Sequence, residues 1–337
     1  MLIEHGTAQN ALAALPEVAR AAGVQSYAVC PEGVIHAELK NGRVAGAALI
    51  DDASPLYPPQ LRDLTDAPPF LWVIGDPSLL QRPAISMVGA RNASSLGTRM
   101  AKSLAAELGQ AGYVIVSGLA RGVDAAAHFA ALDTGTIAVQ AGGVDIMYPA
   151  ENTDLAANIA AKGLRVSEML MGLQPMARHF PKRNRIISGL SQATVIVEAA
   201  TKSDSLITAR DALGQGRDVL AVPGHPFDAR AAGGNMLIRD GATLIRNAAD
   251  IIEALAPIAP QQPALPLQEP KPAKHNLQEA SKLHMQILSR LGPSPIAEDQ
   301  LIRDLKTTPA QVTPILLDLE LDGQMSRHAG GLLARVI

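Results

Sequence analysis

Apolar residues fall in short unbroken runs along the middle of the chain: Ala84–Val88, Tyr113–Val116, Thr136–Gln140, Leu164–Ser167, Ala193–Glu198, Asp218–Val222 and Ala242–Ile245. The runs start roughly 23 to 29 residues apart, the length of one strand–helix unit. They do not alternate apolar with polar, so both faces of each strand are expected to be covered. Between them lie helical patterns such as Met100, Leu104 and Leu108, closed by Gly109 and Gly112. The pattern predicts an α/β fold, a doubly wound and mostly parallel sheet.

The ends of the chain differ. Ala11–Arg20 reads as a helix within a short N-terminal helical segment, residues 1–50, too small for a complete domain. Residues 51–82 read as an irregular lead-in with one strand near Leu71–Ile74, opening a domain over 51–256. Six prolines between Pro257 and Pro272 predict an extended linker over 257–276. Residues 277–337 then give three helices, Ala280–Leu291, Ala297–Leu305 and Pro309–Leu321, with Thr308 as the third one's N-cap. A hairpin of Gln324–His328 and Leu332–Val336 around Gly330–Gly331 completes a winged-helix pattern.

Composition narrows the function classes. The 337 residues carry 29 Lys+Arg against 32 Asp+Glu, a net charge of −3, so nucleic-acid binding would rest on a local patch. One cysteine, Cys30, excludes a disulfide framework and a cysteine-rich zinc module. No apolar stretch has the length of a membrane span and the start has no signal-peptide pattern, so a cytoplasmic protein is expected.

Candidate chemistry sits in the turns after the strands. Val88–Ser94 brings a strand, Gly89 and a helix N-terminus together with Arg91, parts suited to a phosphate. Ser117–Asp124 carries Gly118, and Asp124 and His128 read as a helix N-cap and a packed histidine rather than a metal pair or an acid–base dyad. Arg178–Arg185 places four cations beside Phe180, in a chain with nine aromatics. Cations for phosphates and an aromatic for a base are the parts of a single-strand groove. Thr201–Ser205 adds Lys202 and hydroxyls before another helix. No nucleophile–base pair, P-loop lysine, metal set or cofactor fingerprint stands out.

In order, Val88–Arg91, Ser117–Asp124, Ala127–His128, Tyr148–Pro149, Ser167–Glu168, Phe180–Ile187, Ser205–Ala209, Val222–Gly224 and Gly234–Asn235 resemble the DNA-processing protein A (DprA/Smf) family over residues 50–255. The tail is similar to the winged helix of some members. This resemblance implies an extended Rossmann-like domain that binds single-stranded DNA as a homodimer, protects incoming DNA and loads the RecA recombinase during natural transformation and homologous recombination, without catalysis. It further implies a SAM-like N-terminal domain, of which residues 1–45 would be the second half. Carried over by position, Arg91, Lys182, Arg183, Asn184 and Arg185 would meet the DNA backbone and Phe180 a base. Lys202 and Ser205 would add contacts, and Gly89 and Gly118 would let the strand approach. Asp204 stands where the family commonly has glycine, and its carboxylate would repel phosphate.

Two other classes remain. A nucleotide-processing hydrolase of the lysine-decarboxylase-like group shares a Rossmann core, but its Pro-Gly-Gly-x-Gly-Thr loop has no counterpart in Ala199–Ser205. A duplex-specific regulator acting through the winged helix conflicts with Pro309–Leu321, which carries Asp318 and Glu320 and no Lys or Arg. A protein partner is therefore expected for that module, with Arg327 and Arg335 as its wing cations.

Overall fold

The computed structural model describes residues 2–256 and 277–336, and the stretch predicted as a linker, 257–276, lies outside the described residues. The chain divides into two compact units, Met1–Pro257 and Ile258–Ile337.

The first unit opens with helices α1 (Leu2–His5), α2 (Ala8–Ala21) and α3 (Glu32–Val44), strand β1 (Ala48–Asp51), the single turn α4 (Pro59–Arg62) and β2 (Phe70–Gly75). Strand–helix units follow: β3 (Ala84–Val88), α5 (Ser95–Gln110), β4 (Val114–Ser117), α6 (Val123–Ala131), β5 (Thr136–Val139), α7 (Thr153–Lys162) and β6 (Leu164–Ser167). Then come α8 (His179–Gly189), β7 (Ala193–Ile196), α9 (Ser205–Gly214), β8 (Asp218–Ala221), α10 (Ala232–Arg239), β9 (Thr243–Leu244) and α11 (Ala248–Leu255).

The sheet order is β1-β2-β6-β5-β4-β3-β7-β8-β9. Strands β3 to β9 run parallel, whereas β2 pairs antiparallel with β6 and β1 antiparallel with β2. Strand β3 shows why its run is unbroken. Ala84 and Val88 enter one buried cluster and Ile85 and Met87 the other, so the sheet is covered on both faces. Its one polar residue, Ser86, is buried and satisfied by Thr194 Oγ1 at 2.7 Å. Because β4–β6 lie on one side of β3 and β7–β9 on the other, the winding reverses between β3 and β7. Ligands of open α/β sheets bind outside the carboxyl ends of the strands at such a reversal.

Two sequence expectations change here. The lead-in supplies the strand expected near Leu71–Ile74 as β2, and β1, at the end of the N-terminal segment, adds an unexpected second antiparallel strand. The basic run 178–185 is not a loop: it opens α8, where Pro181 occupies the first turn and its missing N–H leaves no helical bond unmade.

The second unit contains α12 (Leu277–Arg290), β10 (Ile296–Ala297), α13 (Glu298–Asp304), α14 (Pro309–Leu321), β11 (Met325–His328) and β12 (Leu332–Arg335). The three strands pair as β10-β12-β11, one more strand than the hairpin alone. Val312, Leu316 and Leu319 bury the inner face of α14 against Ile287, Leu301 and Leu333. Thr308 caps α14 in extended conformation, although its hydroxyl bonds Gln311 rather than the helix backbone.

Candidate nucleic-acid interface

The loops after β3, β4 and β5 converge at their carboxyl ends on a cleft of about 360 Å³, walled by Arg91, Arg121, Gln140, Tyr148, Phe180 and Arg183. Arg91 is exposed, and its guanidinium carbon stands 5.6 Å from the Phe180 ring centroid. Arg183 approaches the same ring at 5.7 Å, and Tyr148 meets it at 6.0 Å in a tilted arrangement. An aromatic ring thus carries two cations and a second ring at the mouth of one cleft.

Helical geometry explains why only part of the basic run arrives here. Phe180 and Arg183 lie three residues apart on one face of α8, and Lys182 and Arg185 lie three apart on another. Lys182 and Arg185 line a different cleft, together with Asp66, Glu168 and Asp211. Arg185 bonds Glu168 and reaches Asp66 at 3.2 Å. Burial pushes the Glu168 carboxyl up, while the Arg185 charge opposes it. The structure therefore separates Lys182 and Arg185 from Arg91, contrary to the single cluster read from the sequence.

Arg183 is also engaged internally. It is buried, and its Nη1 donates to the carbonyls of Gly118 and Val139, each at 2.6 Å. Its Nε donates to Asn184 Oδ1 at 3.2 Å, so both side chains spend polar groups inside the fold. Burial lowers the Arg183 guanidinium to about 10, with the nearby Asp124 charge opposing, so it stays charged at neutral pH. Asp124 lies within α6 rather than at its cap, and Oδ2 accepts the N–H groups of Gly118 and Ala120 at 3.2 and 3.3 Å. Burial raises its pKa, and Arg183 and those two N–H groups pull it back. His128 is the packed histidine expected. Thr136 gives its hydroxyl proton to the Ile115 carbonyl, so His128 Nδ1 donates to Thr136 Oγ1 at 2.7 Å. Burial, then the Arg183 charge, push it down to about 3.

The glycines serve the protein first. A Cβ on Gly118 would stand 2.5 Å from Arg183 Nη1, and one on Gly89 would stand 2.6 Å from Val123 Cγ2. Their bare faces are filled by the chain's own atoms, which replaces the expected role of admitting a DNA strand. The helix N-termini are likewise occupied. Glu198, at the end of β7, accepts the N–H of Ser94 at 2.9 Å and the Ser94 hydroxyl at 2.5 Å where α5 begins. Ser205 is buried and donates to the Gly89 carbonyl at 3.0 Å. Lys202 is exposed in the same loop, and Asp204 pairs with Arg91 at 3.1 Å instead of standing as a lone repulsive charge. At the winding reversal itself, between Gly89 and Ser205, only about 40 Å³ remains open.

Sequence reading left out two residues of the cleft. Tyr148 is half exposed beside Phe180, and Arg121 is an exposed cation facing Glu151 at 3.6 Å. Both stand in motifs that the sequence singles out, Tyr148–Pro149 and Ser117–Asp124, but only the fold brings them beside Phe180.

Comparison with known proteins decides the family. The family model for DNA recombination-mediator protein A matches residues 48–256. The chain belongs to this family. The DprA winged helix domain matches residues 270–331 and the DprA-like N-terminal HHH domain residues 1–41. DNA processing protein DprA of Bacillus subtilis is 44% identical over 216 residues, covering 63% of this chain and 73% of that protein. Its Streptococcus pneumoniae counterpart is 36% identical over 258 residues, 74% of this chain and 90% of the relative. The X-ray structure of the pneumococcal protein superposes with a TM-score of 0.62 at 37% identity, over 66% of this chain and 78% of that one. DNA processing protein A of Helicobacter pylori, described for its single-stranded DNA binding mode, gives a TM-score of 0.58 at 31% identity, over 62% of this chain and 95% of that one. Among the described residues no helix is long and apolar enough to cross a membrane.

Proposed function

We propose that this chain binds single-stranded DNA in the cleft at the carboxyl ends of β3, β4 and β5, and passes it to the RecA recombinase in homologous recombination and natural transformation. The observation that carries this reading is the Arg91–Phe180–Tyr148 arrangement at the cleft mouth. An aromatic face stacks any base and a neighbouring guanidinium holds a phosphate, which gives affinity without sequence preference. The Helicobacter pylori relative, whose description concerns single-stranded DNA binding, supports it. The contacting residues are Arg91, Phe180, Tyr148 and Arg121, with the exposed Lys202 of the Asp204 loop adding a contact, while Arg183, Asn184 and Ser205 hold the site in place. The functional unit is a homodimer, and the domain limits are those read from the sequence. No catalytic step is assigned.

Titration of a fluorescent single-stranded oligonucleotide tests the cleft. Arg91→Ala with Phe180→Ala is expected to weaken binding by roughly thirty-fold or more, since one base stack alone contributes about 1–3 kcal/mol. Arg91→Ala should also flatten the salt dependence by about 0.7 per lost phosphate contact. Unchanged affinity in the double variant would reject this cleft.

A further inference from the structure

A second aromatic stands on the same edge of the sheet. Phe227, in the loop after β8, is 96% exposed. The loop that presents it is pinned rather than slack. Asn235 Oδ1 accepts the Gly224 N–H at 3.1 Å and its Nδ2 donates to the Gly224 carbonyl at 2.9 Å. Asp228 accepts Arg230 Nε and Nη2, each at 3.0 Å. The Phe227 N–H donates to His225 Nδ1, and the two rings lie 5.5 Å apart. A large apolar ring held in water by a braced loop forgoes its hydrophobic stabilisation in the free protein, so it suits a ligand with an apolar face.

The ground beside it fits such a ligand. His225 lines a groove of about 530 Å³, whose floor includes Leu96, Met100, Val222 and Pro223. Its carboxylates are engaged: Glu198 by Ser94, Asp228 by Arg230, and Glu107 by the Ser103 hydroxyl. The Arg99 side chain on the same wall has no hydrogen bond or ion pair among the described residues. The loop after β3 and the start of α5 connect the two places, bearing Arg91 on the first cleft and Ser94, Leu96 and Arg99 on this groove. Strands β3, β7 and β8 are consecutive neighbours, so the end of β8 lies roughly 10 Å along the edge from the end of β3.

We propose that Phe227 and Arg99 form a second stacking site for single-stranded DNA, taking a base further along a strand held at the Arg91 cleft. This rests on the function proposed above. A strand long enough to cross the edge uses both sites, and a short one uses the first alone.

The test is a titration of the full chain with oligothymidylates of about 6 and about 20 nucleotides, spanning the usual range of single-strand site sizes. Phe227→Ala is expected to weaken the longer strand about ten-fold and the shorter less than about two-fold, as loss of one stacked base requires. Phe227→Trp should restore the longer strand, and Arg99→Ala should weaken it in the same direction as Phe227→Ala. Equal binding of the long strand by wild type and Phe227→Ala would overturn the proposal. So would a loss of affinity accompanied by a change of oligomeric mass, which would make Phe227 a contact between copies. If Arg91→Ala weakened neither strand while Phe227→Ala weakened the longer one, the second site would stand and the first cleft would fall.

Discussion

The two clefts flanking α8 each take cations from that helix, Arg183 on one side and Lys182 and Arg185 on the other, yet they differ in what surrounds those cations. On one side Phe180 is approached by Arg91 and Arg183, and the acidic partner of Arg91 is an exposed carboxylate at 3.1 Å. On the other, Lys182 and Arg185 sit among Asp66, Glu168 and Asp211, and Arg185 is bound to two of them. A positive charge is useful to a phosphate only in proportion to what its own fold leaves unneutralised. The same distinction holds for the loops leading into α5 and α6, where Glu198 and Asp124 already accept N–H groups that an anion could have used. Affinity at this edge thus depends on a few uncommitted groups rather than on the count of basic residues.

The largest effect expected is on stability. Arg183 is buried, and its removal strands the Gly118 and Val139 carbonyls and Asn184 Oδ1, to which it donates. Arg183→Met should lower unfolding free energy by about 3 kcal/mol or more, since each buried acceptor left unpaired costs about 1–3 kcal/mol, and urea denaturation measures it. A variant as stable as wild type would mean that Arg183 is available to ligand after all, and the contrast between faces of α8 would lose its basis. Next comes the direct comparison of cations by oligonucleotide titration. Arg91→Ala should weaken single-strand binding by roughly ten-fold, and Lys182→Ala by less than about two-fold, because its cleft repels as much as it attracts. Equal losses would restore the single basic cluster that the sequence alone suggested.

Asp204 sharpens the contrast from the acidic side. Its carboxylate holds Arg91 where a phosphate would sit, and both side chains are more than half exposed. Such pairs contribute about 0–1 kcal/mol, so Asp204→Asn should tighten single-strand binding by about two- to five-fold, most visibly at low salt. A weaker variant would show that the pair positions Arg91 rather than competing for it.

The sheet was legible in the sequence because its strands are buried on both faces, which writes an unbroken apolar run. Strand β2 matches the run Leu71–Ile74, whereas β1 is harder to read: it is an edge strand with Ile50 as its buried member, and its alternation is too short to stand out. Helix α8 was hidden by Pro181 and by the charge run, both of which read as loop in isolation. Missing the helix meant missing its periodicity, and so Lys182 and Arg185 were pooled with Arg183. Gly89 and Gly118 are close approaches, but the sequence does not say whether a ligand or the chain's own side chains fill the space. Only the fold placed the Arg183 guanidinium over Gly118.

The smallest effect is expected from the winged-helix unit, and it extends the argument about neutralised charge. The solvent side of α14 bears Leu317, Asp318 and Leu321 and carries no Lys or Arg. The wing cation that could have compensated is held as well: Arg327 bonds Glu298 at 2.6 Å and lies 3.6 Å from Glu320. The other, Arg335, donates to the Leu288 carbonyl at 3.4 Å. A helix placed to read a groove but offering leucines and acids suits a protein partner better than a phosphate backbone. Removing residues 277–337 should therefore change single-strand affinity by less than about two-fold and leave its salt slope intact, since the slope counts the cations that meet phosphate. A steep loss of affinity together with a flatter slope would place phosphate contacts on this unit, and Arg327 would then have to leave Glu298 when DNA binds.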